Sequence, residues 1–467
     1  MENILRHLLL INHKMSINKH LITFLEENVN INQSRLDTAN TNIAWVTTVI
    51  ENSEIFSPIL VKDPSPQGSL RHETIIKPVH EDDIFDTDLL VEIKKPSDWS
   101  YRDCLVKMWK IFSDHWTYKD KLNTDRTRCI TIDYEWENSL DIVPTFQEDG
   151  EYYIVNRVDN VREISDGEGF STWFDEQNKK TNNNLKKVIR LFKYIRNYKG
   201  LFEIMSIHLN VLIGKAVDVG WDFTDVQTTL TSIVNNLYKY LEDKTKVEEL
   251  DLINPANPNE DMWEGNRNLD DAELLKFKSF IKDLYDILCA GLDDESIVMK
   301  LRKFLGDEFW DIYFEDISKS QGYQWEEIVE SLSLKGRNIK WHVRVENATY
   351  KKRDEQGKLM PKVLRSSYQI NTGIDLDFTC TVLWISWDYQ VYWQVLNTWP
   401  EALVRENEGK SWFRGDIFTW RSRNSVKLEQ HKNEETTSFK WVHWVKCYVV
   451  QSNFLVAESK KFFVRIV

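Results

Sequence analysis

No proline falls between Pro144 and Pro255, whereas eight of the ten prolines lie in 58–144 and 255–258. Proline removes a backbone donor and breaks a helix interior. The proline-free stretch is therefore where long helices can form, and the proline-dense stretch must be assembled from short elements. The periodicity agrees. Val226, Leu230, Ile233, Leu237 and Leu241 recur at i+4 and i+3, with Thr224 as the expected N-cap. Asn184 to Tyr198 carries a second stripe at Val188, Leu191, Phe192 and Ile195, and helices are expected over Asp270–Ala290 and Asp293–Leu305. Region 55–160 reads instead as a sheet unit, with β-rich runs at Leu89–Ile93, Cys129–Tyr134 and Tyr152–Asn156 and one helix over Tyr101–His115. After Gly336 short alternating runs follow one another at Lys340–Val345, Ser367–Asn371, Thr379–Ile385, Trp441–Val450 and Phe462–Val467. Asp354–Gly357 is a polar hairpin tip between two such runs. Nine of the nineteen tryptophans lie between Trp341 and Trp444, as a separate β-sandwich-like domain with its own core would require.

With 60 basic and 74 acidic residues the net charge is −14. That argues against a protein that coats duplex nucleic acid, since phosphate neutralisation needs a basic surface. Five cysteines without a C-x-x-C pair exclude zinc-finger and disulfide-scaffold readings. No apolar run approaches the ~20 residues that cross a bilayer, so no membrane association is expected and a reducing cytoplasm is the default location.

Three features fit one chemistry. In Gln67-Gly68-Ser69 the glycine lets backbone amides approach an anion, and a hydroxyl stands beside it. In Asp86-Thr87-Asp88 two carboxylates at i and i+2 share one strand face, repel each other, and so favour a divalent cation such as Mg²⁺ or Mn²⁺. Glu81 and Asp83 have the same spacing but precede the apolar run and read as loop charges. Asp141, in Leu140-Asp141-Ile142-Val143-Pro144, is an acid among apolar neighbours, which needs either a metal or a salt-bridging partner. Gly-Ser, then D-x-D on a strand, then a later single Asp is the pattern of the polymerase-β-like nucleotidyltransferases.

The surrounding words narrow the likeness. Pro66-Gln67-Gly68-Ser69-Leu70, Thr74-Ile75-Ile76-Lys77-Pro78, Asp86 to Val91, Cys129 to Tyr134, Leu140 to Pro144, Gly169 to Phe174 and Val188 to Tyr194 together resemble the bacterial CD-NTases over about 20–335. These are relatives of cyclic GMP-AMP synthase and oligoadenylate synthase. The wide acidic spacer between Lys77 and Asp86 departs from the family pattern. The resemblance implies an α+β fold: a nucleotidyltransferase palm at 20–180, a helical half at 181–335, and an N-terminal extension at 1–19. It implies an enzyme that joins NTPs into a cyclic or linear oligonucleotide signal in anti-phage defence, read by a downstream effector. Asp86, Asp88 and Asp141 would be the catalytic metal ligands. Gln67, Gly68, Ser69, Lys193 and Ser206 would hold the donor triphosphate, although on periodicity alone Lys193 could equally face solvent. An inactive nucleotide-binding module and a nucleotidyltransferase acting on a protein or tRNA are the competing readings; retention of all three acids argues against the first.

The tail 336–467 resembles the AGS-C domain, proposed as a nucleotide sensor. The words are Tyr392 to Asn397, Glu401-Ala402, Arg414 to Ile417, and Glu435-x-Thr437-x-Phe439-x-Trp441-x-His443, with Trp441 where the motif expects glycine. Alternation predicts Glu435 to His443 on one strand face. Trp393, Asn397, Arg414 and His443 are the candidate ligand site for a nucleotide, the competing reading being core aromatics with surface charges and a structural His443.

Overall fold

The computed structural model describes residues 16–79, 85–123, 125–134, 138–218, 220–263, 269–306, 308–309, 312, 333–340, 342–353, 359–364, 366, 369–371, 373–383, 389–397, 412–416, 429–436 and 441–466. Glu81 and Asp83, the 354–357 hairpin tip and residues 1–15 lie outside them. Ile17–Leu305 form one compact unit, and Gly306–Val467 belong to a second.

The first unit opens with helices α1 (Ile17–Phe24) and α2 (Gln33–Glu51). The sheet follows: β1 (Ser65–Gln67), the single-turn α3 (Gly68–Arg71), and β2 (Phe85–Glu92). Helix α4 (Tyr101–Ser113) then leads to β3 (Leu122–Asn123), β4 (Ile130–Tyr134), β5 (Asn138–Glu148), β6 (Glu151–Asn156) and β7 (Val161–Ile164). The strand order is β1-β2-β5-β4-β3, with β6 on β5 and β7 on β6. Only the β2–β5 neighbours in that path are parallel. A parallel pair needs a crossover, and α4 lies within it. Its start is set by a capping box in which Ser100 accepts from Asp103 N and Asp103 accepts from Ser100 N. Its apolar side, Cys104, Leu105, Met108 and Phe112, joins Ile43, Val46 and Ile50 of α2 against Leu89, Val91, Ile130, Ile132, Leu140 and Ile142 of the sheet. Because strand residues alternate faces, burying Leu89 and Val91 turns Asp88 to the opposite face, and burying Leu140 and Ile142 does the same for Asp141.

The helical half comprises α5 (Gly167–Lys180), α6 (Leu185–Lys199), α7 (Ser206–Lys215), α8 (Val226–Leu241), α9 (Asp271–Leu288) and α10 (Asp294–Leu305). The stripe expected on α6 is buried, and Gly200 ends that helix in the left-handed region at φ 59°. The expected cap of α8 is corrected. Asp225, not Thr224, accepts from Thr228 N, and the Thr228 side chain returns the bond to complete a capping box. Thr224 instead turns back to Asp222, with its N donating to Oδ1 at 2.9 Å.

The second unit is two antiparallel-rich sheets. One has the order β10-β17-β15-β12-β13 with β16 on β15, the other β14-β11-β8-β9. The strands are β8 (His342–Arg353), β9 (Leu359–Leu364), β10 (Gln369–Ile370), β11 (Asp375–Leu383), β12 (Gln390–Asn397), β13 (Trp412–Asp416), β14 (Glu429–Thr436), β15 (Trp441–Gln451), β16 (Phe454–Glu458) and β17 (Phe462–Ile466). Both sheets contribute to one core, including Phe378, Cys380 and Val382 from one and Trp393, Val445 and Cys447 from the other. Cys380 and Cys447 meet there with their sulfurs 3.2 Å apart. The expectation that Glu435 to His443 share one strand face is overturned: Glu435 lies on β14 and His443 on β15, in different sheets. Residues 437–440 between them lie outside the described set.

The cap correction is open to measurement. Asp225→Ala lowers stability by about 1 kcal/mol, the usual cost of losing an N-cap. Thr224→Ala, which leaves the capping box intact, costs less than half of that in urea denaturation.

Candidate active site

The parallel register decides the geometry. Asp88 of β2 stands opposite Asp141 of β5, and Asp86 stands opposite Ser139. The burial alternation of β2 confirms Asp86 and Asp88 on one face, with Phe85, Thr87, Leu89 and Val91 on the other. Three carboxylates therefore converge on one patch of sheet. Burial, then the charges of Asp141 and Asp86, push the Asp88 carboxyl up to about 6. A carboxylate destabilised by its own kind is what a bound cation would reverse. Among the described residues no group of three His, Cys, Asp or Glu side chains is arranged to hold a metal ion. Asp86 accepts from Ser139 Oγ, and Asp141 accepts from Thr131 Oγ1 at 2.5 Å. None of the salt bridges among the described residues involves Asp141, whose charge is met by the Thr131 hydroxyl.

The Gly-Ser turn sits on this patch. β1 pairs with β2 so that Gln67 opposes Asp88. Gly68 then turns at φ +61°, and a Cβ there would lie 2.0 Å from Asp88 Oδ2. Only glycine brings the backbone this close to the carboxylate. His72 N and Thr74 N donate to Gly68 O and Ser69 O at 3.1 and 2.8 Å, which closes the turn.

A cavity of about 430 Å³ opens beside it, lined by Ser69, Thr74, Asp86, Lys193, Arg196 and Ser206 among others. Lys193 does not face solvent. It is 3% exposed, and its Nζ donates to Thr74 O at 3.2 Å and Thr74 Oγ1 at 3.0 Å. Burial, reinforced by the Arg196 charge, pushes its ammonium down to about 7. Arg196 Nη1 donates to Ile204 O at 2.7 Å, and Nη2 lies 3.3 Å from Ser206 Oγ. That hydroxyl is the first residue of α7, where helix N–H groups lack partners. Of the five residues expected to hold a triphosphate, the cavity gathers Ser69, Lys193 and Ser206, whereas Gln67 and Gly68 do not line it.

Other cations were passed over in the sequence. Lys186, Arg190 and Lys193 recur at i+4 and i+3 on α6. Arg190 Nε is buried with no hydrogen-bond partner among the described residues, and burial pulls the Arg190 guanidinium down. A basic stripe at helical spacing was the available signal.

In the second unit two of the four expected ligand residues are buried. Trp393 is 1% exposed and His443 is buried. Trp393 opposes Arg414 on β13 and Asn397 opposes His443 on β15; the side chains of Arg414 and Asn397 lie outside what is described. Among the described residues no helix is long and apolar enough to cross a membrane.

Residues 15–178 match the family described as Second Messenger Oligonucleotide or Dinucleotide Synthetase domain. Residues 323–467 match the Adenylyl/Guanylyl and SMODS C-terminal sensor domain. The chain is a nucleotidyltransferase of the CD-NTase family with a C-terminal sensor domain. Its fold is shared with the CD-NTase CdnG of Bradyrhizobium diazoefficiens, solved in complex with GTP, at TM-score 0.52 and 18% identity over 65% of this chain and 98% of that one. The CdnC of E. coli MS115-1, solved in a HORMA-deltaN complex, matches at TM-score 0.50 and 18% identity over 62% and 98%. No curated protein matches the sequence. At such identity the solved structures share the fold of this CD-NTase and say nothing of its substrates.

Gly68→Ala tests the closeness of turn and carboxylate. The new methyl must displace Asp88 by more than an ångström, so the enzyme folds but its NTP turnover falls by about two orders of magnitude, the scale of a 1 Å misplacement. Initial rates of pyrophosphate release, beside a thermal melt, check it.

Proposed function

We propose that this CD-NTase joins ribonucleoside triphosphates into a cyclic oligonucleotide, using Mg²⁺ or Mn²⁺ held by Asp86, Asp88 and Asp141. The observation that carries the reading is the convergence of those three carboxylates under the Gly68 turn, beside a cavity that contains Lys193. The donor set is all hard oxygen, which suits these ions. When bound, the ions supply positive charge to the attacking and leaving oxygens of an in-line displacement.

The chain's own residues do the rest. The Gly68–Ser69 turn presents backbone and hydroxyl donors to the terminal phosphates of the donor nucleotide. Lys193 and Ser206, from two helices lining the same cavity, hold those phosphates from the other side. A hydroxyl of the acceptor nucleotide gives up its proton to solvent and attacks the α-phosphorus, the new P–O bond forms, and the bond to the pyrophosphate breaks. Asp141, which lies on β5 away from the Gly68 turn, serves the acceptor side, and Asp86 and Asp88 serve the donor. Arg190 adds a buried cation to the basic face of α6. In keeping with the family, the product acts in the cytoplasm as a signal to a downstream effector in anti-phage defence, and the C-terminal unit tunes the enzyme in response to a nucleotide or related ligand.

Asp86→Asn with Asp88→Asn abolishes pyrophosphate release from the four ribonucleoside triphosphates in Mg²⁺. Its melting temperature does not fall, because the substitutions remove repelling charge without changing volume. A folded double variant with undiminished turnover overturns the assignment. Asp141→Asn is equally inactive but still binds donor NTP in calorimetry.

Lys193 gives a pH signature. With its ammonium near 7 in the free enzyme, it is mostly neutral at pH 8, and a triphosphate beside it draws the proton back on. NTP binding therefore takes up a proton around pH 8, and affinity falls as pH rises from 7 to 9. Calorimetry in buffers of different ionisation enthalpy reads this uptake. Lys193→Met loses it.

A further inference from the structure

The Gly68–Ser69 turn is a wall between two cavities. Ser69 lines the 430 Å³ cavity on the carboxylate side. Gln67 and Ser171 line another of about 800 Å³ behind it. Leu70 anchors the turn to the core, while the side chains that face the two cavities are fixed by polar ties. On one side that tie is Thr74 with Lys193. On the other it runs through Gln67.

Gln67 Oε1 lies 3.3 Å from Ser171 Oγ, and His72 Nε2 lies 2.9 Å from the same oxygen. Ser171 Oγ also donates to Gly167 O at 2.8 Å, one turn back on α5. A hydroxyl has one proton and two lone pairs. With the proton spent on Gly167 O, both other neighbours must donate to the oxygen. His72 then carries its proton on Nε2, which agrees with its Nδ1 being buried without a hydrogen-bond partner. Gln67 must present its amide N–H₂ to Ser171. Its terminal O and N are nearly indistinguishable in shape, so this needs only a flip. His72 cannot readily take a second proton, because burial, with Arg71 and Lys193 nearby, holds it down to about 4. The ring is wedged against Phe170 and Phe174, with centroids 5.4 and 4.7 Å away.

We propose that Ser171 and His72 are positioning residues for nucleotidyl transfer, fixing Gln67 and through it the Gly68–Ser69 turn over Asp88. They touch no substrate; they act through a hydrogen-bonded chain that ends one residue before the glycine. The inference rests on the reading of the carboxylate cleft as the active site.

The test is a double-mutant cycle on the full-length enzyme, read as kcat/KM for pyrophosphate release from the four ribonucleoside triphosphates in Mg²⁺. Ser171→Ala and Gln67→Leu each lower kcat/KM by about ten- to a hundredfold, and the double variant is no worse than the worse single one, because both cut the same chain. His72→Gln, which keeps an N–H donor near the Nε2 position, retains activity within threefold of wild type, whereas His72→Leu does not. Where Ser171→Ala fails to fold, the same cycle is run on Gln67→Leu with His72→Leu. Losses that multiply in the double variant, or a folded Ser171→Ala with wild-type kcat/KM, overturn the positioning role. Asp86→Asn separates this from failure of the underlying reading: if it is dead while Ser171→Ala is normal, only the positioning role falls. If Asp86→Asn turns over normally, the site itself is elsewhere.

Discussion

Parallel pairing of β2 with β5 forces like charges together. The register puts Asp88 against Asp141 while Asp86 lies two residues along the same face. Nothing in the apolar core requires this, since Leu89, Val91, Leu140 and Ile142 would pack as well with neutral residues on the far side. The fold accepts an electrostatic cost at one patch and spreads it by giving two of the acids hydroxyl donors from Ser139 and Thr131. The third, Asp88, is pushed up to about 6 by burial and then by the charges of Asp141 and Asp86.

The remaining features of the site follow from where that patch lies. β1 pairs along the edge of β2, so the turn that leaves β1 must pass over Asp88, and only a residue without Cβ can make that passage. The segment after the turn returns past α6, where Thr74 meets Lys193. One short stretch, Gln67 to Thr74, thus touches the sheet, α5 and α6, and links the acids to the cations that face them. Burial, then the Arg196 charge, holds the Lys193 ammonium down to about 7, so near neutrality it is readily either charged or neutral.

The C-terminal unit works by different physics. Its tryptophan richness is spent in part on the core, where Trp393 packs with Phe378 and the Cys380–Cys447 contact between two sheets. Aromatics that look like a stacking platform in a linear motif can be the filling of a sandwich, because both roles ask for large flat apolar rings on alternating positions.

Local pattern alone determined much of this molecule. The spacing of Asp86 and Asp88 placed both on one strand face, the Gly68-Ser69 pair marked the turn, and the apolar stripes of α6 and α8 marked the helical half, because periods of 2 and 3.6 are properties of the backbone itself. What the chain does between distant segments was decided only in three dimensions. That Asp141 meets Asp88 depends on a parallel register spanning 53 residues of sequence. That Lys193 points into the cleft depends on which side of α6 faces the Gly68 turn. That Glu435 and His443 fall in separate sheets depends on where the chain changes sheet between β14 and β15. Alternation continues unbroken through such a change in the sequence, so it carries no record of it; only the hydrogen-bond partners of each strand do.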